Sequence, residues 1–181
     1  MTDSNFHRCL VFTLEQEGGF SDDPQDSGGP TYRGITLDAY RAFVRNPQFT
    51  ADQLRALPDD MISDFYHDCY WNPVRGDDLP LGVDLMVFDE GVNTGPGISV
   101  RLLQECVGLT GWAVDGVIGP KTLAAVAERK PAILIQMLTE RQSIYYRTLE
   151  GFARFGDGWL ARVERRMKAA LAMATDKDAY V

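Results

Sequence analysis

Apolar residues recur at helical intervals from the start of the chain: Phe6, Leu10 and Leu14 are four apart, and Val11 widens the stripe. This spacing predicts a helix over residues 5 to 17 with one apolar face. Glu17 follows three residues after Leu14 and seven after Leu10, so that face carries an acid at the helix exit. There the helical pattern stops. Residues 18 to 36, GGFSDDPQDSGGPTYRGIT, contain five glycines and two prolines and are too turn-rich for helix. Phe20, Tyr32 and Ile35 mark two or three very short strands around Asp26-Ser27-Gly28-Gly29, predicting a small hairpin held against the first helix.

Helical periodicity resumes at Leu37 and runs to Arg45, ending before Asn46-Pro47. Thr50 with Gln53 forms a capping box for a short helix to Leu57. Pro58 opens the next, through Met61, Ile62, Phe65, Tyr66 and Cys69. Residues 81 to 93 are expected to be helical with Leu81, Leu85 and Phe88 inward, before Gly95-Pro96-Gly97 breaks the chain. Ile98 to Val107, stopped by Gly108, and helices near 120–129, 131–150 and 158–174 complete a mainly α pattern with a small β-hairpin after the first helix. No repeat or long linker divides the sequence. Its composition shifts only at Gly108 to Gly119, which places the expected division between residues 1–108 and 109–181, packed into one unit.

An acid on an apolar face is costly to desolvate, so its pKa should rise, which is the state a general acid needs near neutral pH. A helix-terminal Glu that turns to water is the alternative for Glu17. In the following loop, Asp26 lies nine residues on and is the candidate second carboxylate; Asp22 and Asp23 precede Pro24 and read as turn acids. Two carboxylates across a cleft are the apparatus for splitting a glycosidic bond, one protonating the leaving oxygen and the other attacking or orienting water.

At this point the chain resembles a known family. Glu17-Gly18-Gly19-Phe20, followed by Asp26, Gly28, Gly29, Thr31, Gly34, Ile35 and Thr36, is similar to the signature of glycoside hydrolase family 108. Tyr70-Trp71, the segment Phe88 to Gly95, and Leu103-Gln104 resemble its helical middle. Asp115-Gly116-Val117-Ile118-Gly119-Pro120-Lys121-Thr122 resembles the turn of its predicted peptidoglycan-binding segment, and Trp159-Leu160 with Arg162-Val163 its closing helix. The resemblance implies a lysozyme-like fold: a catalytic part over 1–108 and a peptidoglycan-binding part over 109–181. It also implies an endolysin-type N-acetylmuramidase that needs no cofactor. Glu17 would act as general acid, Asp26 would stabilise charge or orient water, and Thr31 would help to hold that water. Thr31 lies one position earlier relative to Asp26 than in the more distantly related phage-type lysozymes.

Further contacts to a sugar are sought among amides, acids and rings. Asp89 and Asn93 share a helical face, and Glu90 and Asn93 a neighbouring one. Asn93 and Asp89 are therefore candidate substrate contacts, set against the alternative that Asp89 caps a helix and Glu90 faces solvent. Tyr70, Trp71 and Tyr32 are candidate stacking rings, Tyr70 and Trp71 also reading as core aromatics alongside Tyr66. Arg33 is a candidate partner for a stem-peptide or lactyl carboxylate.

Composition narrows the field. A chain of 181 residues with 45% hydrophobic residues has enough apolar surface for a good core. A net charge of −8 without a basic cluster argues against nucleic acid, and no cationic amphipathic terminus or membrane-length apolar run appears. Cys9, Cys69 and Cys106 are odd in number and far apart, the pattern of reduced buried thiols. With only His7 and His67, and neither a His-Glu-x-x-His nor a Cys-x-x-Cys motif, a metal site or a peptidase dyad is not expected. MTDSNFHR lacks the apolar core of a secretory signal. The expectation is a monomer made in the cytoplasm that reaches the wall through a holin pore or an export machine. Two alternatives remain: a lytic transglycosylase with Glu17 alone, and an inactive glycan-binding relative.

Overall fold

A computed structural model describes residues 5–22 and 29–175. Among these are nine α-helices and one three-stranded antiparallel sheet. The chain separates into two compact units. One comprises Leu10–Cys69, the other Met1–Cys9 with Tyr70–Val181.

Helix α1 (Asn5–Gln16), which belongs to the Leu10–Cys69 unit from Leu10 onward, leads into strands β1 (Phe20–Ser21), β2 (Thr31–Tyr32) and β3 (Ile35–Thr36). Phe20 pairs with Tyr32 and Ser21 with Thr31; Tyr32 in turn pairs with Ile35. The hairpin expected from sequence is therefore present, and it runs directly into α2 (Leu37–Val44). Thr36 ends β3 and caps α2, its hydroxyl accepting from the Ala39 amide at 3.2 Å. Helix α3 (Ala51–Arg55) opens on the full Thr50/Gln53 capping box, and α4 (Asp59–Tyr66) continues into a π-helical turn over His67–Trp71. The core gathers Ile35, Leu37, Leu54 and Ile62 beside an aromatic group in which Tyr40 lies 4.9 Å from Phe49 and 5.9 Å from Phe65.

The second unit is helical. Helix α5 (Val83–Thr94) is its axis, packed against α6 (Pro96–Cys106), α8 (Pro131–Arg147) and α9 (Phe152–Thr175), with α7 (Pro120–Ala127) completing the set. Every residue of α5 from Val83 to Gly91 is buried, so the helix is enclosed on all sides rather than along one stripe, and it takes Asp84, Asp89 and Glu90 into the interior with its apolar residues. Between α5 and α6 the break is shorter than Gly95-Pro96-Gly97 implies. Gly95 alone turns the chain at φ 90°, and Pro96 is already the first helical position. Helix α9 starts at Phe152, six residues before the expected 158. Gly156 and Gly158 do not stop it, because the Phe152 ring lies against Gly156, where a Cβ would meet it at 2.6 Å.

Of these three acids, Asp84 is held by backbone amides rather than by a guanidinium. Its Oδ1 accepts from the Gly82 and Leu85 amides, each at 2.7 Å, while the buried Oδ2 has no partner. Burial pushes its pKa up to about 7, against the amide bonds and the Arg8 charge, which lower it. The folded carboxyl therefore holds its proton between about pH 4 and 7, where the unfolded chain has lost it. Folding stability falls as pH rises through that window, by about 1.4 kcal/mol per unit and about 4 kcal/mol in all, and stays reduced above it. Thermal melts from pH 4 to 8 should show this decline in the wild type and a much flatter profile in Asp84→Asn. Parallel profiles would refute it.

Candidate active site

The Leu10–Cys69 unit holds an open cavity of about 400 Å³ lined by Val11, Leu14, Glu15, Glu17, Gly18, Gly19 and Arg33. Val11 and Leu14 supply an apolar wall, Glu15 and Glu17 the acids. Glu17 is not on the buried face that its spacing implies. The buried residues of α1 are Cys9, Leu10 and Thr13; Val11 is 45% exposed, and Leu14 and Glu17 are half-buried. The helix closes at Gln16, so Glu17 leaves the helical phase, and the exposed Gly18 and Gly19 carry the chain away.

The hairpin turn closes on Glu17. Arg33 and Gly34 form the two-residue loop between β2 and β3 with φ of 48° and 77°, the positive pair that a type I′ turn requires. Gly34 has a second reason to be glycine. A Cβ there would sit 2.9 Å from Glu17 Oε2 and 2.6 Å from Tyr66 Oη. Arg33, a bulky residue in the left-handed region, is held by two contacts: its carbonyl accepts from the buried Tyr66 hydroxyl at 2.7 Å, and its guanidinium pairs with Asp59 at 2.7 Å. Tyr66 is thus a strut beneath the turn that meets Glu17. Sequence reading placed Tyr66 in the core but missed this role; the available signal was an Arg-Gly pair between two β-prone dipeptides.

Thr31 and Tyr32 lie on β2, both half-buried. The Thr31 hydroxyl donates to the Gly29 carbonyl at 3.1 Å, which leaves its oxygen free to accept. The Arg33 guanidinium stands 5.5 Å from the Tyr32 ring centre. Asp26 lies outside the described residues.

The remaining candidates belong to the helical unit. Tyr70 is half-buried in the π-helical turn. Trp71 is fully buried, packed on Phe6 and Phe88 with its indole N–H donating to Asp77 at 3.1 Å, so it is a core ring and presents no face to a sugar. Asp89 departs likewise from a substrate contact. It is fully buried, with one oxygen 2.7 Å from Arg162 Nη2 and the other 2.6 Å from Arg166 Nε. Burial opposes its charge, but the two guanidiniums prevail and hold its pKa at about 2. Glu90 is buried beside it, 2.6 Å from Arg166 Nη1, and accepts from Tyr146 at 3.0 Å. Arg166 also donates to Gln142 at 2.8 Å, and Gln142 to the Met86 carbonyl, so one guanidinium ties α5, α8 and α9 together. Only Asn93 of the α5 candidates is exposed. Sequence reading missed Arg166; its signal was two arginines one turn apart on α9 and two acids within an apolar helix that must bury them.

Comparison with known proteins bears on both units. The glycosyl hydrolase 108 family matches residues 10–95, and a predicted peptidoglycan domain matches residues 98–164. Among curated proteins no match is found. The solved structure of Brucella abortus SagA is 38% identical, spans 96% of this chain and 97% of its own, and superposes with a TM-score of 0.86. Family match, lysozyme-like helical fold with its small hairpin, and likeness over nearly the whole length agree: the chain belongs to glycosyl hydrolase family 108, glycoside hydrolases acting on peptidoglycan, and carries the predicted peptidoglycan domain beside it.

Proposed function

We propose that the chain is an N-acetylmuramidase that cleaves the β-1,4 bond between N-acetylmuramic acid and N-acetylglucosamine, with Glu17 as the general acid. The observation that carries this reading is a half-buried carboxyl on the wall of an open cavity, with the backbone of a pinned hairpin turn against it. In the reaction Glu17 gives its proton to the bridging oxygen as the bond from C1 breaks, and the bonding pair leaves with that oxygen. Positive charge develops at the anomeric carbon. Asp26 stabilises it or orients the incoming water, and Thr31, whose hydroxyl proton is engaged by Gly29, offers its oxygen to that water. Tyr32 and Arg33 sit on the same hairpin and supply a ring and a cation for the glycan and its carboxylates. The protein acts at the wall after release from the cytoplasm, as an endolysin or an exported effector does.

The products decide the chemistry. Purified peptidoglycan digested with the wild-type chain should yield fragments with new reducing muramic ends by mass spectrometry. Anhydro-muramic ends would make it a lytic transglycosylase and new peptide ends a peptidase, while binding without soluble fragments would leave a glycan-binding protein.

A further inference from the structure

On the helical unit Asn93, Tyr146, Trp159 and Phe155 form a continuous line. The Tyr146 ring centre lies 5.5 Å from that of Trp159 at 31°, and Trp159 lies 5.9 Å from Phe155 at 36°. Tyr146 is buried, Trp159 half-buried and Phe155 49% exposed, so the rings step from the interior to the surface. Gly151 keeps this step clear: a Cβ there would meet Trp159 at 3.0 Å and Phe155 at 3.3 Å. The exposed Arg154 guanidinium lies 4.9 Å from the Phe155 ring centre.

At the other end of the line, an amide is oriented by elimination. Tyr146 donates its single O–H proton to Glu90 Oε2, and burial together with the Glu90 charge raises its pKa to about 12, so the proton stays. Toward Asn93 the phenol oxygen is therefore an acceptor only. Asn93 Nδ2 meets it at 3.1 Å, so the phenol engages the amide's donor and leaves Oδ1 as the acceptor of an exposed residue near the end of α5. Packing accounts for Tyr146. It does not account for a half-exposed Phe155 with a cation at its face, nor for an exposed amide fixed through two buried groups.

We infer that this ledge binds the N-acetylated glycan strand of peptidoglycan: Phe155 and Trp159 lie against the C–H faces of the sugars, Asn93 Oδ1 accepts an acetamido N–H, and Arg154 meets a lactyl or stem-peptide carboxylate. The inference rests on peptidoglycan being the substrate, and Tyr146, Arg154, Phe155 and Trp159 all fall in the segment that matches the predicted peptidoglycan domain. On a chain of net charge −8, a cation at a glycan-facing ring offsets repulsion from the acidic polymer.

Co-sedimentation of the full chain with purified insoluble peptidoglycan tests it, in a Glu17→Gln background that keeps the polymer intact. Phe155→Ala should weaken binding about tenfold, and Phe155→Tyr should restore it. Asn93→Ala should weaken binding about tenfold on native peptidoglycan and leave binding to the de-N-acetylated polymer unchanged. Both positions are exposed, and thermal melts will show whether each variant is folded. Unaltered binding of folded Phe155→Ala would overturn the inference, as would an Asn93→Ala loss equal on both polymers. Muramic reducing ends from the wild type, with Phe155→Ala binding normally, would remove the ledge and leave the muramidase standing. Weakened binding without cleavage products would do the reverse.

Discussion

Glu17→Gln is expected to reduce peptidoglycan cleavage by about 10²–10⁴-fold, the usual worth of a positioned general acid, while leaving the melting temperature nearly unchanged. The amide matches the carboxyl in size and keeps an acceptor for its neighbours, but it has no proton to deliver to the glycosidic oxygen. Glu17 is half-buried at an open cavity, where removing a charge costs less than at the fully buried Asp89. Glu15 lines the same cavity and is exposed, which makes Glu15→Gln the matched control, expected to change the rate less than about threefold. Turbidity clearance and counting of reducing ends will separate the two. Should Glu17→Gln cleave at the wild-type rate, the assignment of the acid is wrong; should Glu15→Gln be the inactive one, the acid is Glu15.

Arg166→Met should cost about 3–5 kcal/mol, the penalty for removing one member of a buried, hydrogen-bonded ion network. For a chain of this size that is a drop of roughly 6–20 °C in melting temperature. The methionine fills much of the volume, so the loss comes from charge. Asp89 loses one of its two guanidiniums, Glu90 loses its pairing with Arg166, and Gln142 loses the donor to its carbonyl oxygen. Arg141→Met removes a partly exposed pair with Glu105 on the same unit and should cost less than about 1 kcal/mol. A melting temperature for Arg166→Met within about 2 °C of the wild type would show that the network is not what joins α5, α8 and α9.

What was legible in the sequence were features set by short-range rules. The helices α1 to α4 and α6 to α8 follow apolar spacing and caps such as Thr50/Gln53, whose hydrogen bonds span three residues. The hairpin followed from glycines and β-prone pairs, and Glu17 was singled out because an acid beside an apolar stripe is costly. The errors have a common cause. Spacing puts Glu17 on the core face only while the helix lasts, and the helix ends one residue sooner. The last helix was expected from 158 because propensity is local, whereas α9 starts at Phe152, whose ring packs on Gly156.

The sequence by itself determined a mainly α chain with a short hairpin, an acid at the exit of its first helix and a glycosyl hydrolase family 108 signature around it. Only the tertiary structure decided which acids meet solvent. Asp89 and Glu90 are indistinguishable from groove residues by helical phase, and their burial is settled by Arg162 and Arg166, more than 70 positions away. The same holds for Tyr66 under the turn at Glu17, and for Asn93, whose amide is oriented by a phenol from α8. Desolvation and hydrogen-bond direction depend on what packs against a residue, and that information is carried by no single stretch of chain.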